Sequence, residues 1–441
     1  MAATGRKLAS STRPRANLTR AIELLHASLR TEQRTGVRFT PILWGAPGQG
    51  KTAIVEGFVD QLNETLAPQR AEWMRLHPHA SEKDCPQHLR HWQVLAFRLS
   101  QCDPTDLKGV PLYEEVDGKS VTSYAPPKEI PTTNSPNSAD GFNVVLFLDE
   151  ISQAVPTMQN LASNIIDGKV GDHLIDITRC FIVGASNRAE DLAATFQMPM
   201  NVANRCTHID VTTTYDEWQD WAMKTGQNPY VIGYLKVHTG VFNEAIVPDV
   251  PIYGTPRSWH KVSSYMNAQG NDFYLNERLS LDVLAGTIGA AAADFFAFCK
   301  LTNSKYSIDD IMAGKKVPIP EKADTKYSLV LEATARFNLW CEAVIDDPSW
   351  MHAITGEKRL SPDEVTELFV KKLGKEKVNA INNTFAWFGL DGNSDPAFHV
   401  LLNKYQSEKT KSQLRAAMLK SDHFKPAQAG YAKIQNALQR K

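Results

Sequence analysis

Two apolar spacings alternate through the first half of the chain. Leu18, Ile22, Leu25 and Leu29 recur at helical intervals, with Asn17 as a candidate N-cap and Gly36 beyond the end. A compact apolar run, Phe39 to Trp44, then predicts a buried strand. Ile54, Val55, Phe58, Val59 and Leu62 return to helical spacing, and this helix is expected to stop before Pro68. Val94 to Leu99 predicts a second strand, and residues 103 to 109 are expected to form loop throughout. Leu112 to Val116 and Lys119 to Tyr124 flank Asp117-Gly118, a strong hairpin-turn signal. Pro126, Pro127, Pro131 and Pro136 predict extended, irregular chain. Val144 to Leu148 is apolar without interruption, as a strand covered on both faces must be. Met158, Leu161, Ile165 and Ile166 predict a helix closed by Gly168. Phe181 to Ala185 and Cys206 to Val211 predict two more strands.

Beyond Asp216 the pattern is helical. Segments are expected at 217 to 224, 229 to 238, 281 to 300 and 327 to 344. Residues 301 to 325 are expected to form a mixed linker. Ser361 and Glu364 form a capping-box pattern opening a helix to Leu373. Strands alternating with helices, then helices alone, predict an α/β fold: a parallel sheet with helices on both faces, followed by helical regions.

The chemistry falls at the strand ends. Gly45-Ala46-Pro47-Gly48-Gln49-Gly50-Lys51-Thr52 lies between the first long strand and its helix and reads G-x-x-x-x-G-K-T. In that context it is a phosphate-binding loop. Its glycines let backbone amides converge on phosphate oxygens, and the helix N-terminus adds positive potential. Lys51 would reach the β- and γ-phosphates of ATP, and Thr52 would hold Mg2+. Asp149 and Glu150 close the apolar strand about one hundred residues later. Asp149 would anchor the metal, and Glu150 would be the general base for an attacking water. Asn187, just past another strand, would position that water or serve as an ordinary turn residue. Thr255-Pro256-Arg257 looks like an N-cap, Pro at the first helical position and Arg in the first turn. Cation and helix dipole disagree there, so Arg257 serves either phosphate or merely the surface.

Composition adds bounds. The chain has 441 residues and a formal net charge of −1, which speaks against nucleic-acid or membrane attraction. The basic start (Arg6, Lys7, Arg13, Arg15, Arg20) lacks an apolar signal segment, and six scattered cysteines without Cys-x-x-Cys suit a reducing compartment, so the cytosol is expected. His77, His79, Cys85, His88 and His91 fall within fifteen residues. They form either a zinc site of Cys-x-x-His-x-x-His spacing or a solvated helical insert.

A GTPase would carry an Asn-Lys-x-Asp guanine reader, and Asn403-Lys404-Tyr405-Gln406 does not match. Gly45 to Thr52, Leu146 to Ile151, Gly184-Ala185-Ser186-Asn187-Arg188, Met198-Pro199-Met200 running into Ala203-Asn204-Arg205, and Thr255 to Trp259 together resemble the MoxR-like branch of the AAA+ ATPases. The resemblance covers residues 38 to 300, and more weakly to 345. It implies a P-loop AAA+ core at 16–212 with an insertion at 68–92 and a hairpin insert at 110–126. A basic flexible tail, 1–15, precedes it; a helical lid, 213–300, and a helical C-terminal extension, 301–441, follow. It implies Asn187 as sensor 1, Arg257 as sensor 2, and Arg205 as an arginine finger acting on a neighbour's nucleotide, with Arg188 the rival. It further implies a homo-oligomeric, usually hexameric, ATP-hydrolysing ring that remodels or activates a protein, often with a von Willebrand A-type partner. The hairpin would face the pore. The 68–92 insertion departs from the family pattern, and Cys206 stands where Phe commonly follows the finger. A nucleotide-gated assembly scaffold and a DNA-acting motor are the competing expectations.

Overall fold

The computed structural model describes residues 14–428, apart from 82–83, 117–118, 135–137, 189–190, 192–195, 245, 247–249, 356–359, 389–407 and 426. Most of the expected basic tail and the Asp117-Gly118 turn therefore lie outside the described residues. The chain divides into two compact units, Met1–Glu217 and Trp218–Lys441.

The first unit is built on a parallel six-stranded sheet. Its strands are β1 (Arg15–Ala16), β2 (Thr40–Trp44), β3 (Trp92–Arg98), β6 (Asn143–Asp149), β9 (Cys180–Ser186) and β10 (Cys206–Val211), in the order β1-β10-β2-β9-β6-β3. The hairpin β4 (Val110–Val116) and β5 (Lys119–Ala125) and the short pair β7 (Lys169–Val170) and β8 (His173–Leu174) are antiparallel additions. Helices α1 (Leu18–Thr35) and α2 (Lys51–Leu76) cover one face, and α4 (Pro156–Ile166) and α5 (Met200–Ala203) the other. A short helix, α3 (Pro104–Lys108), follows β3.

Strand alternation decides which side chain meets which layer. Along β6, Val145 and Phe147 join Phe58 and Val59 of α2, while Val144, Leu146 and Leu148 join Ala162 and Ile165 of α4. All of these are buried. Each of the larger side chains contributes about 1.5–3 kcal/mol relative to exposure, and the strand is accordingly apolar from Val144 to Leu148.

Two expectations need correction in this unit, and one open alternative is addressed. Helix α2 does not end before Pro68 but continues to Leu76. Pro68 lies on the exposed face, so the Glu64 carbonyl it leaves without an amide partner faces water. The next turn is anchored by buried Arg70, whose Nε donates to the Leu89 carbonyl at 2.9 Å. Residues 103 to 109 are not loop throughout: a reciprocal capping box between Asp103 and Asp106 nucleates α3. The histidine-rich stretch does not converge. His77 stacks on Trp73, buried Cys85 contacts the Met74 sulfur, and His91 meets Asn63 and Arg70. Among the described residues no three His, Cys, Asp or Glu side chains gather to hold a metal.

An ion pair ties the end of α1 to the N-terminal ends of β2 and β9. Glu32, fully buried on α1, accepts from Arg38 at 2.7 Å and from the Phe39 amide at 3.0 Å. Arg38 also donates to the carbonyls of Cys180 and Ile175. Burial raises the Glu32 carboxyl above the ordinary range, and Arg38 opposes that shift. Arg38→Met leaves a buried charge without its partner, so thermal or denaturant unfolding should show a loss of about 3–5 kcal/mol. A loss under about 1 kcal/mol, the range of an exposed pair, would show that the pair does not hold this corner.

The second unit is helical. It contains most of α6 (Tyr215–Lys224), then α7 (Pro229–Val237), α8 (Pro256–Gln269), α9 (Asp272–Leu275), α10 (Glu277–Ile288), α11 (Ala291–Lys305), α12 (Ile308–Met312), α13 (Ala323–Ile345), α14 (Pro348–Thr355), α15 (Pro362–Leu373), α16 (Lys375–Phe388) and α17 (Glu408–Lys420). The single helix expected at 281–300 is two, because Gly289 adopts φ 59° and breaks it. The mixed linker at 301–325 holds the end of α11 and all of α12. The Ser361–Glu364 capping box forms as the pattern predicts. Phe337, Phe369 and Phe385 centre a core shared by α13, α15 and α16. No helix among the described residues is long and apolar enough to cross a membrane.

Candidate nucleotide site

The strand order sets the geometry. β2, β9 and β6 are adjacent and parallel, so Gly45, Asn187 and Asp149 leave the sheet at the same C-terminal edge. That edge is where open α/β sheets bind ligands.

The loop between β2 and α2 has the shape its glycines allow. Gly48 and Gly50 adopt φ 82° and 76°, left-handed values that an L side chain rarely takes. A Cβ on Gly45 would stand 2.9 Å from the Val211 carbonyl of β10. Gln49 is buried and fastens the loop to the chain after β10. Its side-chain oxygen accepts from the Thr213 amide at 3.0 Å, and its carbonyl accepts from the Thr213 hydroxyl at 2.6 Å. Lys51 folds back over the loop. Its Nζ donates to the Gly45 carbonyl at 2.6 Å, the Ala46 carbonyl at 3.1 Å and the Asn187 side-chain oxygen at 2.8 Å. Thr52 is exposed at the start of α2.

The carboxylate end of β6 is strained. Glu150 has φ 58°, a left-handed conformation that costs a non-glycine residue about 1–2 kcal/mol. Such outliers are retained where the surrounding structure requires them. The turn carries the chain into a short helix whose Ile151 is buried. Burial, above all, raises the Asp149 carboxyl above the ordinary carboxylate range; the Glu150 charge adds to this, while the Glu150 amide and Lys51 oppose it. The Ser100 hydroxyl, two residues past β3, donates to Glu150.

The residues present fit a nucleotide with a divalent cation. The loop offers amides and an ammonium to phosphate, and Thr52 and Asp149 offer hard oxygens to a cation that takes its other ligands from phosphates and water. A carboxyl raised by burial beside a second carboxylate is the electrostatic situation that a cation relieves.

The fold gathers Lys51, Asp149, Glu150 and Asn187. Arg205 is placed elsewhere. It immediately precedes Cys206, which pairs with Thr40 at the opposite end of β2 from the loop. Five strand residues, roughly 17 Å, separate the two edges. There Arg205 bonds Asp167 at 3.0 Å and the Ser163 hydroxyl. Arg188 is on the loop's side, next to Asn187, and donates to Asp191. Cys206 is half-buried against the α4 core, its thiol pushed up to about 12 by burial, so a small residue packs where a larger one was expected. Arg257 belongs to the second unit, exposed in the first turn of α8 behind the Thr255 cap.

No family model matches the sequence, and no curated protein matches it. Among solved structures, NtrX from Brucella abortus in complex with ATP is similar over 92% of this chain and 70% of that chain, at 12% identity and a TM-score of 0.24. The same protein in complex with ADP is similar over 90% and 68%, at 13% identity and a TM-score of 0.24. A likeness at that TM-score is too weak to bear on the chemistry of the site, which rests on the residues themselves.

Ser100 and the Gln49–Thr213 clasp escaped sequence reading. The parallel register Arg98↔Asp149 explains Ser100: it brings the end of β3 alongside the end of β6. Only the pairing of the two strands, not the serine itself, signals this.

Proposed function

We propose that this chain is an ATP-hydrolysing AAA+ motor of the MoxR-like kind. It works as a ring of identical copies and remodels or activates a protein partner. The observation that supports the reading best is the convergence of Lys51, Asn187 and the Asp149–Glu150 pair at one sheet edge, with Lys51 bonded to Asn187. In this reading the Gly45–Thr52 loop and Lys51 hold the phosphates in cis. Thr52 and Asp149 hold Mg2+, which when bound neutralises charge on the phosphates. Glu150 takes the proton of the attacking water, Ser100 fixes the carboxylate through its hydrogen bond, and Asn187 helps hold the water in line.

Arg205 supplies the finger to a neighbouring copy. Its position at the far edge of the sheet from its own loop supports action in trans, while Arg188 shares an edge with its own site. Arg257 contributes phosphate contact from the helical unit. The β4–β5 hairpin is the candidate substrate contact: Tyr113 is 82% exposed, and Leu112 and Val121 are exposed beside it. Monomeric soluble proteins seldom leave such a ribbon without a partner.

The first test is ATP binding by calorimetry with Mg2+. The wild-type chain should bind ATP, and Lys51→Ala should weaken binding at least tenfold while melting normally. No binding by the wild type, or equal binding by the variant, would overturn the assignment.

A further inference from the structure

A chain of polar contacts runs across one face of the sheet, from the loop edge toward the edge that holds Arg205. Trp44, the last residue of β2, adjoins Gly45 of the phosphate loop and is buried in one cluster with Ile42, Met198 and Val202. Its indole Nε1 donates to the Nδ1 of His208 at 2.8 Å, and the two rings stack with centroids 5.8 Å apart. The Nε2 of His208 donates in turn to the Ala203 carbonyl at 2.8 Å. An indole N–H can only donate, so Nδ1 accepts and the ring carries its proton on Nε2. Both ring nitrogens are thus engaged, and together they fix the orientation of the ring. The register accounts for the reach. Trp44 lies beside Asp210 and His208 beside Ile42, so His208 stands on the same face, two residues nearer the Arg205 edge.

The far end of this chain is the turn that carries Arg205. Ala203 is the last residue of α5, and Arg205 follows two residues later. The last carbonyls of a helix have no partner within it. Here β10 supplies partners: the Cys206 thiol donates to the Val202 carbonyl at 3.3 Å, and His208 takes the Ala203 carbonyl. The Arg205 amide also donates to the Val202 carbonyl, at 3.1 Å. The Arg205 side chain meets only Asp167 and Ser163 of its own chain among the described residues. A finger acting in trans must exchange those partners for a neighbour's phosphate. Its aim then depends on its backbone, which the β10 contacts hold.

We propose that His208 is the positioning residue of the trans finger. Anchored by Trp44, it fixes the turn between α5 and β10, and with it the direction in which Arg205 leaves the sheet. This rests on the reading of Arg205 as a finger. A displacement of about 1 Å in a contributing group can cost about 10²-fold in rate, even when the substitution lies away from the chemistry.

Complementation with full-length variants tests this. His208→Leu alone should turn over ATP about 10²-fold more slowly than wild type, with ATP affinity by calorimetry within about threefold. Mixed one to one with Lys51→Ala, which keeps its finger, it should regain activity. Mixed with Arg205→Ala, which keeps its nucleotide site, it should not. That pattern marks a sound site with a displaced finger, and a general loss of stability does not produce it. His208→Leu leaves the Trp44 N–H without this acceptor, so Trp44→Phe/His208→Leu, which removes both members of the pair, is assayed beside it. Circular dichroism checks that each folds, and the double variant should give the same pattern. Undiminished turnover in both, recovery with Arg205→Ala in place of Lys51→Ala, or recovery with both or with neither would overturn the proposal. The mixture of Lys51→Ala with Arg205→Ala is the control. If it regains activity while His208→Leu departs from its pattern, the positioning role alone falls. If it stays inactive, the shared-site reading falls and the positioning role falls with it.

Discussion

Glu150→Gln should bind ATP as the wild-type chain does and hydrolyse it about 10²–10⁴-fold more slowly, the range supplied by a positioned general base. The substitution keeps the shape of the side chain and an oxygen able to accept from Ser100, so it should not release the left-handed turn. It removes the basicity. The phosphate loop and Asp149 are untouched, which is why affinity and turnover should separate. Calorimetry and a phosphate-release assay on one preparation check both halves. Turnover within tenfold of wild type would show that the base lies elsewhere; loss of ATP affinity would show that Glu150 holds the site rather than serving its chemistry.

Arg205→Ala should lower turnover by about 10³–10⁵, the contribution of a trans arginine to phosphoryl transfer. The structural cost should be small. The Arg205–Asp167 pair is 40% exposed on both sides, and exposed pairs contribute about 0–1 kcal/mol. The variant should therefore melt within a few degrees of wild type while losing its ATPase. Arg188→Ala provides the contrast: Arg188 adjoins Asn187 on its own chain's loop side, and its Asp191 partner also takes its backbone amide. It should disturb the local turn more than the trans chemistry. Full ATPase in Arg205→Ala with turnover lost in Arg188→Ala would reverse the two assignments.

The parts that could be read before the structure are those whose physics is local. The Val144–Leu148 run must be a two-faced buried strand, and its two faces do divide between α2 and α4. The G-x-x-x-x-G-K-T loop, the Ser361 capping box and the two hairpin strands depend on neighbours in sequence, and all form. The misreadings have different causes. Pro68 argues for a helix end until Arg70 is seen holding the next turn to Leu89. Residues 103 to 109 look like loop because Asp and Pro favour turns, yet the same residues build a capping box. The histidines cluster in sequence but are sent to different tasks, His77 to the Trp73 ring and His91 to Asn63. At the site, the loop and carboxylates were legible; Ser100 was not, because its role exists only through the β3–β6 register.

Sharing of active sites between copies is the central claim, and complementation tests it most directly. Lys51→Ala should lack the nucleotide site but keep its finger; Arg205→Ala should keep the site but lack the finger. Each is expected to be inactive alone at every protein concentration. Mixed one to one, they should regain a substantial fraction of wild-type ATPase, because some interfaces then join an intact loop to an intact Arg205. A mixture as inactive as its components, or full activity in Arg205→Ala by itself, would contradict the account and leave each chain to hydrolyse ATP, if at all, with its own residues.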